Sequence, residues 1–153
     1  MSVEQKLADL DITIPTPVAA VANYVPFVRS GNLVSISGQI PMRDGKLAFE
    51  GKVNDTVSEE DACSAARLCG LNIIAQLKAA CDGDLNRVKR IVKLGGFVNC
   101  TDSFGGQPQI INAASDLMVE VFGDAGCHSR SAVGVNALPL NVPVEIDALV
   151  EIE

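Results

Sequence analysis

The feature that most restricts the fold is a helical repeat of apolar residues in the middle of the chain. Apolar side chains recur every three to five residues at Val57, Ala62, Ala66, Cys69, Ile73, Leu77 and Ala80. Such a stripe predicts an amphipathic helix whose apolar face covers a core. A helix of this length needs a broad apolar partner, and a β-sheet is the partner that the rest of the sequence offers.

Both ends of this helix are marked in the sequence. Thr56 or Ser58 can cap the N-terminus, with Glu59 or Asp61 three residues on as the capping-box partner. The acidic first turn suits the positive end of the helix dipole. Residues 82–84, which read Asp-Gly-Asp, are typical of a helix end and predict that the helix stops before them.

The remaining periodic segments are shorter and lie on both sides of this helix. They predict a short helix at residues 3–10, a strand at 33–37, a hairpin turn at 42–45 with its returning strand at 47–53, a strand at 90–100, a second main helix at 110–122, and a closing hairpin of strands at 130–135 and 142–151. This order predicts an α+β fold in which one mixed sheet carries two main helices on one face.

Length and composition fit a single domain, residues 1–153, without a linker or an internal repeat. Hydrophobic residues make up 48% of the chain but aromatic residues only 4%, so the core must be built from aliphatic side chains. The second face of the sheet then carries too many valines and isoleucines to lie in water. We therefore expect several copies of the chain to cover that face for one another.

The charge of the chain argues against a nucleic-acid partner. The formal net charge is −7, whereas nucleic-acid binding depends largely on Lys and Arg that displace counterions from phosphates. The densest basic stretch, residues 87–93, alternates with apolar residues and indicates the solvated face of a strand. A membrane is not expected either, because no apolar run approaches the roughly 20 residues of a membrane span.

The cysteines indicate reduced thiols. There are five, an odd number, and none forms a C-x-x-C pair. Since no signal-peptide pattern is visible, a cytoplasmic location is the expectation. Cys69 and Cys81 fall on or near the helical stripe, where small buried hydrophobes are a better interpretation than redox groups. One histidine and scattered cysteines offer no metal-ligand spacing, so we predict no metal site.

Two charged residues near the C-terminus are candidates for chemistry. Arg130 opens an apolar strand, where its guanidinium could hold a small carboxylate in a bidentate pair; its other interpretation is a surface or interface residue with a solvated head group. Glu145 lies on an alternating strand and could simply face outward. Periodicity leaves both choices open. For His128, the only histidine, a helix-end or surface role is favoured over catalysis.

Three stretches together resemble the RidA/YjgF family of reactive enamine and imine deaminases, which has also been labelled an endoribonuclease family. They are "SGQIP" at residues 37–41, "FVNC" from residue 97 with "INA" from residue 111, and "RSAVGVNALPLNVPVEIDA" at residues 130–148. The resemblance runs from about Tyr24 to the C-terminus. It leaves residues 1–23 as an N-terminal extension with a short helix.

This resemblance implies a chorismate-mutase-like fold assembled as a homotrimer, with active sites between subunits and no cofactor. It implies that Arg130 binds the carboxylate of a small-molecule substrate and that Glu145 positions or activates the attacking water. The implied substrate-binding residues are Tyr24, Ser37, Gly38 and Asn112. The implied reaction is that of a 2-iminobutanoate/2-iminopropanoate deaminase: hydrolysis of an enamine or imine, such as 2-aminoacrylate, to a 2-keto acid and ammonia.

The sequence departs from the family pattern at positions that shape the site. Ala132 stands where the family often has cysteine, residues 127–129 read Cys-His-Ser instead of the frequent Pro-Ala, and the loop at residues 104–109 is longer. These differences predict a reshaped cleft. They leave two alternative functions open. One is a non-catalytic homotrimer that holds a small carboxylate through Arg130, and the other, which the net charge supports less, is an endoribonuclease.

Overall fold

The structure, a computed structural model, describes residues 1–20 and 23–153 and has the predicted α+β class. In this part of the chain the helices are α1 (Val3–Asp9), α2 (Glu59–Ala80) and α3 (Gln107–Phe122). The strands are β1 (Phe27–Ser30), β2 (Leu33–Gln39), β3 (Met42–Arg43), β4 (Lys46–Leu47), β5 (Val88–Asn99), β6 (Ser129–Val135) and β7 (Val144–Ile152). The predicted N-terminal extension includes residues 21 and 22, which lie outside the described residues.

The five longer strands form one mixed sheet in the order β1-β2-β7-β5-β6, and β3 pairs with β4 in a separate hairpin. β5 and β6 run parallel and are joined through α3, because parallel neighbours need a crossover connection. The predicted closing hairpin of β6 with β7 is wrong, since β5 lies between them and pairs with both. The short edge strand β1 has no counterpart among the predicted elements.

Helix α2 follows its predicted pattern closely. Ser58 is the cap, and its Oγ accepts a hydrogen bond from the Asp61 backbone N–H at 3.1 Å. The apolar stripe is buried up to Leu77, as are Cys69 and Cys81, and Ala80 is half-buried. Burial raises the pKa of the Cys69 thiol, which keeps it protonated, as expected of a structural cysteine. Neither α2 nor any other described helix is long and apolar enough to cross a membrane.

The predicted hairpin turn is also present. Asp44 and Gly45 both have positive φ, 54° and 75°, as a two-residue type I′ turn requires, and they join β3 to β4. The returning strand is much shorter than the predicted residues 47–53. After Leu47 the chain turns away from the hairpin, and Val53 instead forms a parallel bridge with Cys100.

Alternation along β7 separates the two faces of the sheet. Ile146 points to the inner face, which α2 and α3 cover, whereas Glu145 and Asp147 point to the opposite, outer face. The helices pack closely on the inner face: a Cβ at Gly96 would overlap the side chain of Ile111 on α3. Gly96 of β5 is therefore a point of close approach between the sheet and α3.

Helix α1 is tied to the same body as the sheet. The Glu4 carboxylate accepts hydrogen bonds from the Leu85 backbone N–H at 2.9 Å and from the Asn86 side-chain amide at 2.7 Å. Leu7 of α1 is buried in the common core. These contacts anchor the start of the N-terminal segment to the body of the fold.

Candidate active site

A pocket of about 470 Å³ opens at the junction of β2, β7 and the N-terminal segment. It is lined by Val18, Ala19, Ala20, Tyr24, Pro26, Ser37, Gly38, Gln39, Ile40, Met42, Pro139, Leu140 and Glu145. Four of the residues implied by the family resemblance, Tyr24, Ser37, Gly38 and Glu145, therefore share one concave site. Ligands usually bind in pockets of this size that are largely apolar and contain a few polar groups.

Glu145 reaches this pocket beside a bulge in β2. The register between β2 and β7 shifts between Ile36 and Gln39. Gly38 lies in this bulge, and a Cβ there would overlap the Glu145 carboxylate. Burial raises the pKa of Glu145, and the negative charge of Asp147 raises it further. A carboxylate with a raised pKa is a stronger proton acceptor than an ordinary one.

Asp147 is a second carboxyl group on the outer face, and sequence reasoning did not select it. It follows Glu145 by two residues on β7, so both side chains point to the same face; this alternation could have indicated the pair. Burial raises the pKa of Asp147, while a hydrogen bond from the Gly95 N–H and the charge of Lys93 oppose that rise. Among residues 1–20 and 23–153, no three His, Cys, Asp or Glu side chains are grouped to hold a metal.

Ser37 fastens the N-terminal segment to the mouth of the pocket. Its Oγ donates a hydrogen bond to the Val25 carbonyl at 2.7 Å, and its backbone N–H donates to the Pro26 carbonyl at 2.9 Å. Tyr24, the preceding residue of that segment, lines the pocket with about half of its surface exposed. Because the Ser37 hydroxyl proton is committed to the protein, this hydroxyl can act toward a ligand only as an acceptor.

Two buried amides on α2 hold further parts of the pocket wall. Asn72 and Gln76 stand one helical turn apart and are at most 1% exposed. Asn72 Nδ2 donates to the Ile40 and Met42 carbonyls at 3.0 and 3.1 Å, and Gln76 Nε2 donates to the Val18 carbonyl at 2.7 Å. These bonds fix the wall backbone in place. Sequence reasoning missed them, although two amides four residues apart within an apolar helix were a usable signal.

A third buried amide supports the loop between β6 and β7. Asn99 donates to the Val142 carbonyl at 3.2 Å and to Asn141 Oδ1 at 3.3 Å, and accepts from Lys52 Nζ at 2.8 Å. This loop presents Leu140 to the pocket. Leu140 has a φ of 57°, in the left-handed region, which costs a leucine roughly 1–2 kcal/mol. The bonds of Asn99 help to hold this strained backbone.

Arg130 lies on the inner face of the sheet, away from the pocket. Its Nη1 donates to Ser115 Oγ at 3.0 Å and its Nη2 to the Pro108 carbonyl at 3.2 Å, and both partners belong to α3. Asn112 stands on α3 between these two contacts, at a spacing that puts it on the same side of the helix. The structure thus places Arg130 and Asn112 at one site and separates them from Glu145 within a single chain.

His128 follows a short 3₁₀ helix and contacts Ser115, one of the two partners of Arg130. Its Nδ1 lies 2.6 Å from the Gly126 carbonyl oxygen and its Nε2 lies 2.9 Å from Ser115 Oγ. A carbonyl only accepts, so Nδ1 carries a proton, and in the neutral ring Nε2 accepts from the Ser115 hydroxyl. The Ser115 oxygen in turn accepts from Arg130. His128 therefore lies at the end of this 3₁₀ helix and contacts the same Ser115 hydroxyl as the guanidinium.

Residues 4–152 match a family model described as "YjgF/chorismate_mutase-like, putative endoribonuclease". The chain belongs to the YjgF family. The match covers both groups of candidate site residues. It begins upstream of Tyr24, the residue from which the motifs indicated the resemblance. The resemblance to the YjgF family that the motifs predicted is confirmed.

Of two relatives of this YjgF-family chain, one has a name that states no activity and the other is named as a deaminase. Protein TCP17 of Trypanosoma cruzi is 44% identical over 151 residues, which are 98% of this chain and 94% of that protein. A 2-iminobutanoate/2-iminopropanoate deaminase of Dermatophagoides farinae is 29% identical over 144 residues, which are 92% of this chain and 95% of that protein.

Two solved structures are similar to this YjgF-family chain over most of its length. Atu1372 of Agrobacterium tumefaciens, a protein of unknown function, has a TM-score of 0.91 at 48% identity and covers 99% of this chain and 94% of its own. E. coli TdcF, solved with bound serine, has a TM-score of 0.65 at 27% identity and covers 92% of this chain and 96% of its own. The YjgF-type fold predicted from the motifs is therefore confirmed.

Proposed function

We propose that this YjgF-family protein hydrolyses reactive enamines or imines derived from amino acids to 2-keto acids and ammonia. The observation that carries the proposal is the setting of Glu145, a carboxyl group of raised pKa in a concave site where Gly38 leaves room for it. Such a group is suited to take a proton from water. The deaminase from Dermatophagoides farinae among the relatives supports the same reaction class.

The complete active site is proposed to form between subunits of a homotrimer. Arg130 and Glu145 point to opposite faces of one sheet, so a single chain cannot present both to a small substrate. A neighbouring copy packed on the outer face would bring its own Arg130 to the Glu145 pocket. Exposed apolar side chains on the outer face support such packing: Val28, Leu33 and Val133 are 54%, 42% and 44% exposed in one chain.

The proposed chemistry needs only water as a co-reactant. Arg130 holds the substrate carboxylate in a bidentate pair and so fixes the C=N carbon. Glu145 accepts a proton from water as the water oxygen bonds to that carbon; the C=N electron pair moves to nitrogen, and Glu145 returns the proton to it. Glu145 then takes the hydroxyl proton of this carbinolamine and passes it to the nitrogen, so that the C–N bond breaks as the C=O bond forms and ammonia leaves. An enamine enters the same path after protonation on carbon.

This reaction is tested by coupling the protein to a dehydratase that releases 2-aminoacrylate and following the appearance of the keto acid. Wild-type protein should accelerate the reaction above spontaneous hydrolysis. Loss of the general base typically costs about 10²-fold or more, so Glu145→Gln should lose most of the acceleration, and Arg130→Ala should lose it too. Circular dichroism checks that both variants are folded. If the wild-type protein accelerates the hydrolysis of none of several imines, the deaminase proposal is rejected.

The second candidate function is a non-catalytic homotrimer that binds a small carboxylate through Arg130. The serine bound to E. coli TdcF favours it, because that relative was solved with an amino acid. This candidate predicts that calorimetry detects carboxylate binding to the wild type and not to Arg130→Ala, while imine hydrolysis stays at the spontaneous rate. Binding without acceleration would select this function over the deaminase.

Ribonuclease activity, which the family description names, is the least supported function for this chain. The net charge is −7 and each chain has one histidine, which disfavours a groove for phosphates and leaves no pair of imidazoles within one chain. RNA cleavage that persists through stringent purification and is lost in Arg130→Ala would reverse this ranking.

A further inference from the structure

The guanidinium of Arg130 belongs to a half-buried residue and has more hydrogen-bond donors than protein partners. Of its five N–H groups, one donates to Ser115 Oγ and one to the Pro108 carbonyl, which leaves three. In the described parts of the chain, residues 1–20 and 23–153, no Asp or Glu lies within ion-pair distance of this group. The three remaining N–H groups are suited to a carboxylate, and their direction depends on how the two protein partners hold the guanidinium.

The two partners of Arg130 differ in how firmly they are placed. The Pro108 carbonyl belongs to the backbone of the first turn of α3 and moves only with the helix. Ser115 offers a hydroxyl, which can rotate, and a serine within a helix can also donate to the carbonyl four residues earlier. Here the hydroxyl oxygen lies between His128 Nε2 and Arg130 Nη1, at 2.9 and 3.0 Å. A group that holds the hydroxyl in this orientation therefore also holds the guanidinium.

The imidazole of His128 is such a group. Its Nδ1–H donates to the Gly126 carbonyl at 2.6 Å, and in the neutral ring this tautomer leaves Nε2 as an acceptor. The Ser115 hydroxyl donates its proton to Nε2, so a lone pair of Ser115 Oγ is free to face Arg130. The direction of this chain of hydrogen bonds thus follows from the one carbonyl that Nδ1 contacts.

Gly126, which carries that carbonyl, is itself firmly placed. It is buried, and a Cβ at this position would overlap the Met118 carbonyl of α3. The backbone of the 3₁₀ helix therefore rests directly on α3, the helix that also carries Ser115. Because this contact fixes the two segments relative to each other, the imidazole that spans them is a rigid support for the hydroxyl.

We propose that His128 is a positioning residue for carboxylate binding: it holds the Ser115 hydroxyl so that Ser115 Oγ orients the Arg130 guanidinium. The inference rests on the proposed function, in which Arg130 receives the substrate carboxylate. It also gives a role to the sequence Cys-His-Ser at residues 127–129, which departs from the family pattern directly before Arg130. His128 does not touch the substrate in this arrangement and acts through Ser115.

The tautomer of His128 is a direct spectroscopic test. Because the chain has one histidine, the ring ¹⁵N signals in a nuclear magnetic resonance spectrum belong to His128 without further assignment. At mildly alkaline pH, Nδ1 should carry the proton and Nε2 should not. The Nε2 signal should shift in Ser115→Ala, which removes its hydrogen-bond partner. A ring protonated on Nε2 alone, or an Nε2 signal that Ser115→Ala leaves unchanged, would overturn the inference.

Two substitutions separate the two ends of the ring. In His128→Asn the amide reaches about as far as Nδ1 and keeps a donor for the Gly126 carbonyl, whereas in His128→Gln it reaches about as far as Nε2 and keeps an acceptor for Ser115. His128→Asn should weaken the binding of pyruvate, measured by calorimetry, roughly fivefold, because the hydroxyl remains but is no longer held. His128→Gln, the matched control, should stay within about twofold of the wild type.

The kinetic constants and the melting temperature complete this comparison. The KM for the imine should rise in His128→Asn as pyruvate affinity falls, while kcat stays within about twofold, because the chemical step does not involve the ring. Melting temperatures check that both variants are folded. Equal losses of affinity in His128→Asn and His128→Gln, or a loss in kcat alone, would reject the positioning role.

A double-mutant cycle shows whether His128 acts through Ser115. Once Ser115→Ala has removed the hydroxyl, His128→Asn has nothing left to misplace, so the double variant should bind pyruvate within about twofold of Ser115→Ala alone. Two losses that multiply in the double variant would mean that His128 influences Arg130 by another route, and the inference would fail.

Carboxylate binding keeps this inference separate from the deaminase proposal. A protein that hydrolyses no imine but loses pyruvate affinity in His128→Asn would reject the deaminase and support the positioning role. An active enzyme whose KM and pyruvate affinity are unchanged in His128→Asn would support the deaminase and reject the positioning role. A wild-type protein that binds neither pyruvate nor serine would also reject it, whatever its activity on imines.

Discussion

Arg130 and Glu145 project from opposite faces of the same sheet, with one strand between theirs. On β5, Leu94 pairs with Arg130 and Phe97 pairs with Glu145, so the two residues are close in the sheet but point apart. A carboxylate on the guanidinium of one chain is therefore on the wrong side of the sheet for the Glu145 of that chain. If the proposed pair is catalytic, activity requires assembly of the protein.

Mixing two inactive variants should restore activity. In a site where a Glu145→Gln subunit supplies Arg130 and an Arg130→Ala subunit supplies Glu145, both groups are intact, and random assortment in a trimer gives about one quarter of such sites. Co-refolding equal amounts and measuring imine hydrolysis checks this. The control is each variant refolded alone. If mixtures shown to contain hetero-oligomers recover no imine hydrolysis, Arg130 and Glu145 do not act from different chains.

Gly38→Ala should disable the site while preserving the fold. Its Cβ would overlap the Glu145 carboxylate, which can rotate away at small cost in stability but then no longer lies in its pocket position. A misplacement of about 1 Å can cost about 10²-fold in kcat/KM. Gly105→Ala is the matched control, because a Cβ there meets nothing within 4 Å. Wild-type activity in Gly38→Ala, with an unchanged melting temperature, would show that Glu145 tolerates displacement.

Asp147→Asn should shift the pH profile of the reaction to lower pH. Only the ionised form of Glu145 accepts a proton, so kcat/KM falls as pH drops through its raised pKa. The charge of Asp147 contributes to that rise, and its removal lowers the pKa of Glu145. The acid limb of kcat/KM therefore moves down. Glu151→Gln, an exposed residue further along β7, is the control, and an acid limb that stays in place or moves up would contradict the coupling.

Ser115→Ala should weaken substrate binding more than turnover. Its hydroxyl connects Arg130 to His128, and a hydrogen bond to a charged group contributes about 1.5–3 kcal/mol. A less well-oriented guanidinium should raise KM about tenfold or more with a smaller change in kcat. Ser64→Ala, at an exposed position of α2, serves as the control. A fall in kcat at unchanged KM would assign Ser115 to the chemical step.

The scaffold could be predicted where its signals are local. The Ser58 cap and the Asp44-Gly45 turn depend on residues within one turn of chain, and the structure has both. The neighbour of β6 could not be predicted in this way. β6 and β7 follow one another in the sequence, which favours a hairpin, whereas the observed parallel pairing with β5 depends on where α3 packs.

The site could be predicted in its parts and not in its arrangement. Motifs selected residues that gather at two places, but alternation along single strands does not show which faces will meet in an assembly. The roles of Asn72 and Gln76 were hidden for a different reason. A buried amide in an apolar stripe has the same sequence pattern whichever backbone it bonds, and their partners lie far along the chain, up to 58 residues away for Gln76.

Asn72 and Gln76 of α2 hold the pocket wall by hydrogen bonds. Ligand binding in the pocket is thereby connected to the stability of the helix. Opening the middle of α2 would release the wall, so a ligand that fills the pocket should slow amide hydrogen exchange there, although it touches no residue of the helix. A substitution on the face of α2 that packs on the sheet should in turn change the pocket, because a small tilt of the helix moves the pocket wall with it. Selectivity in this protein can thus diverge through core positions that no ligand contacts.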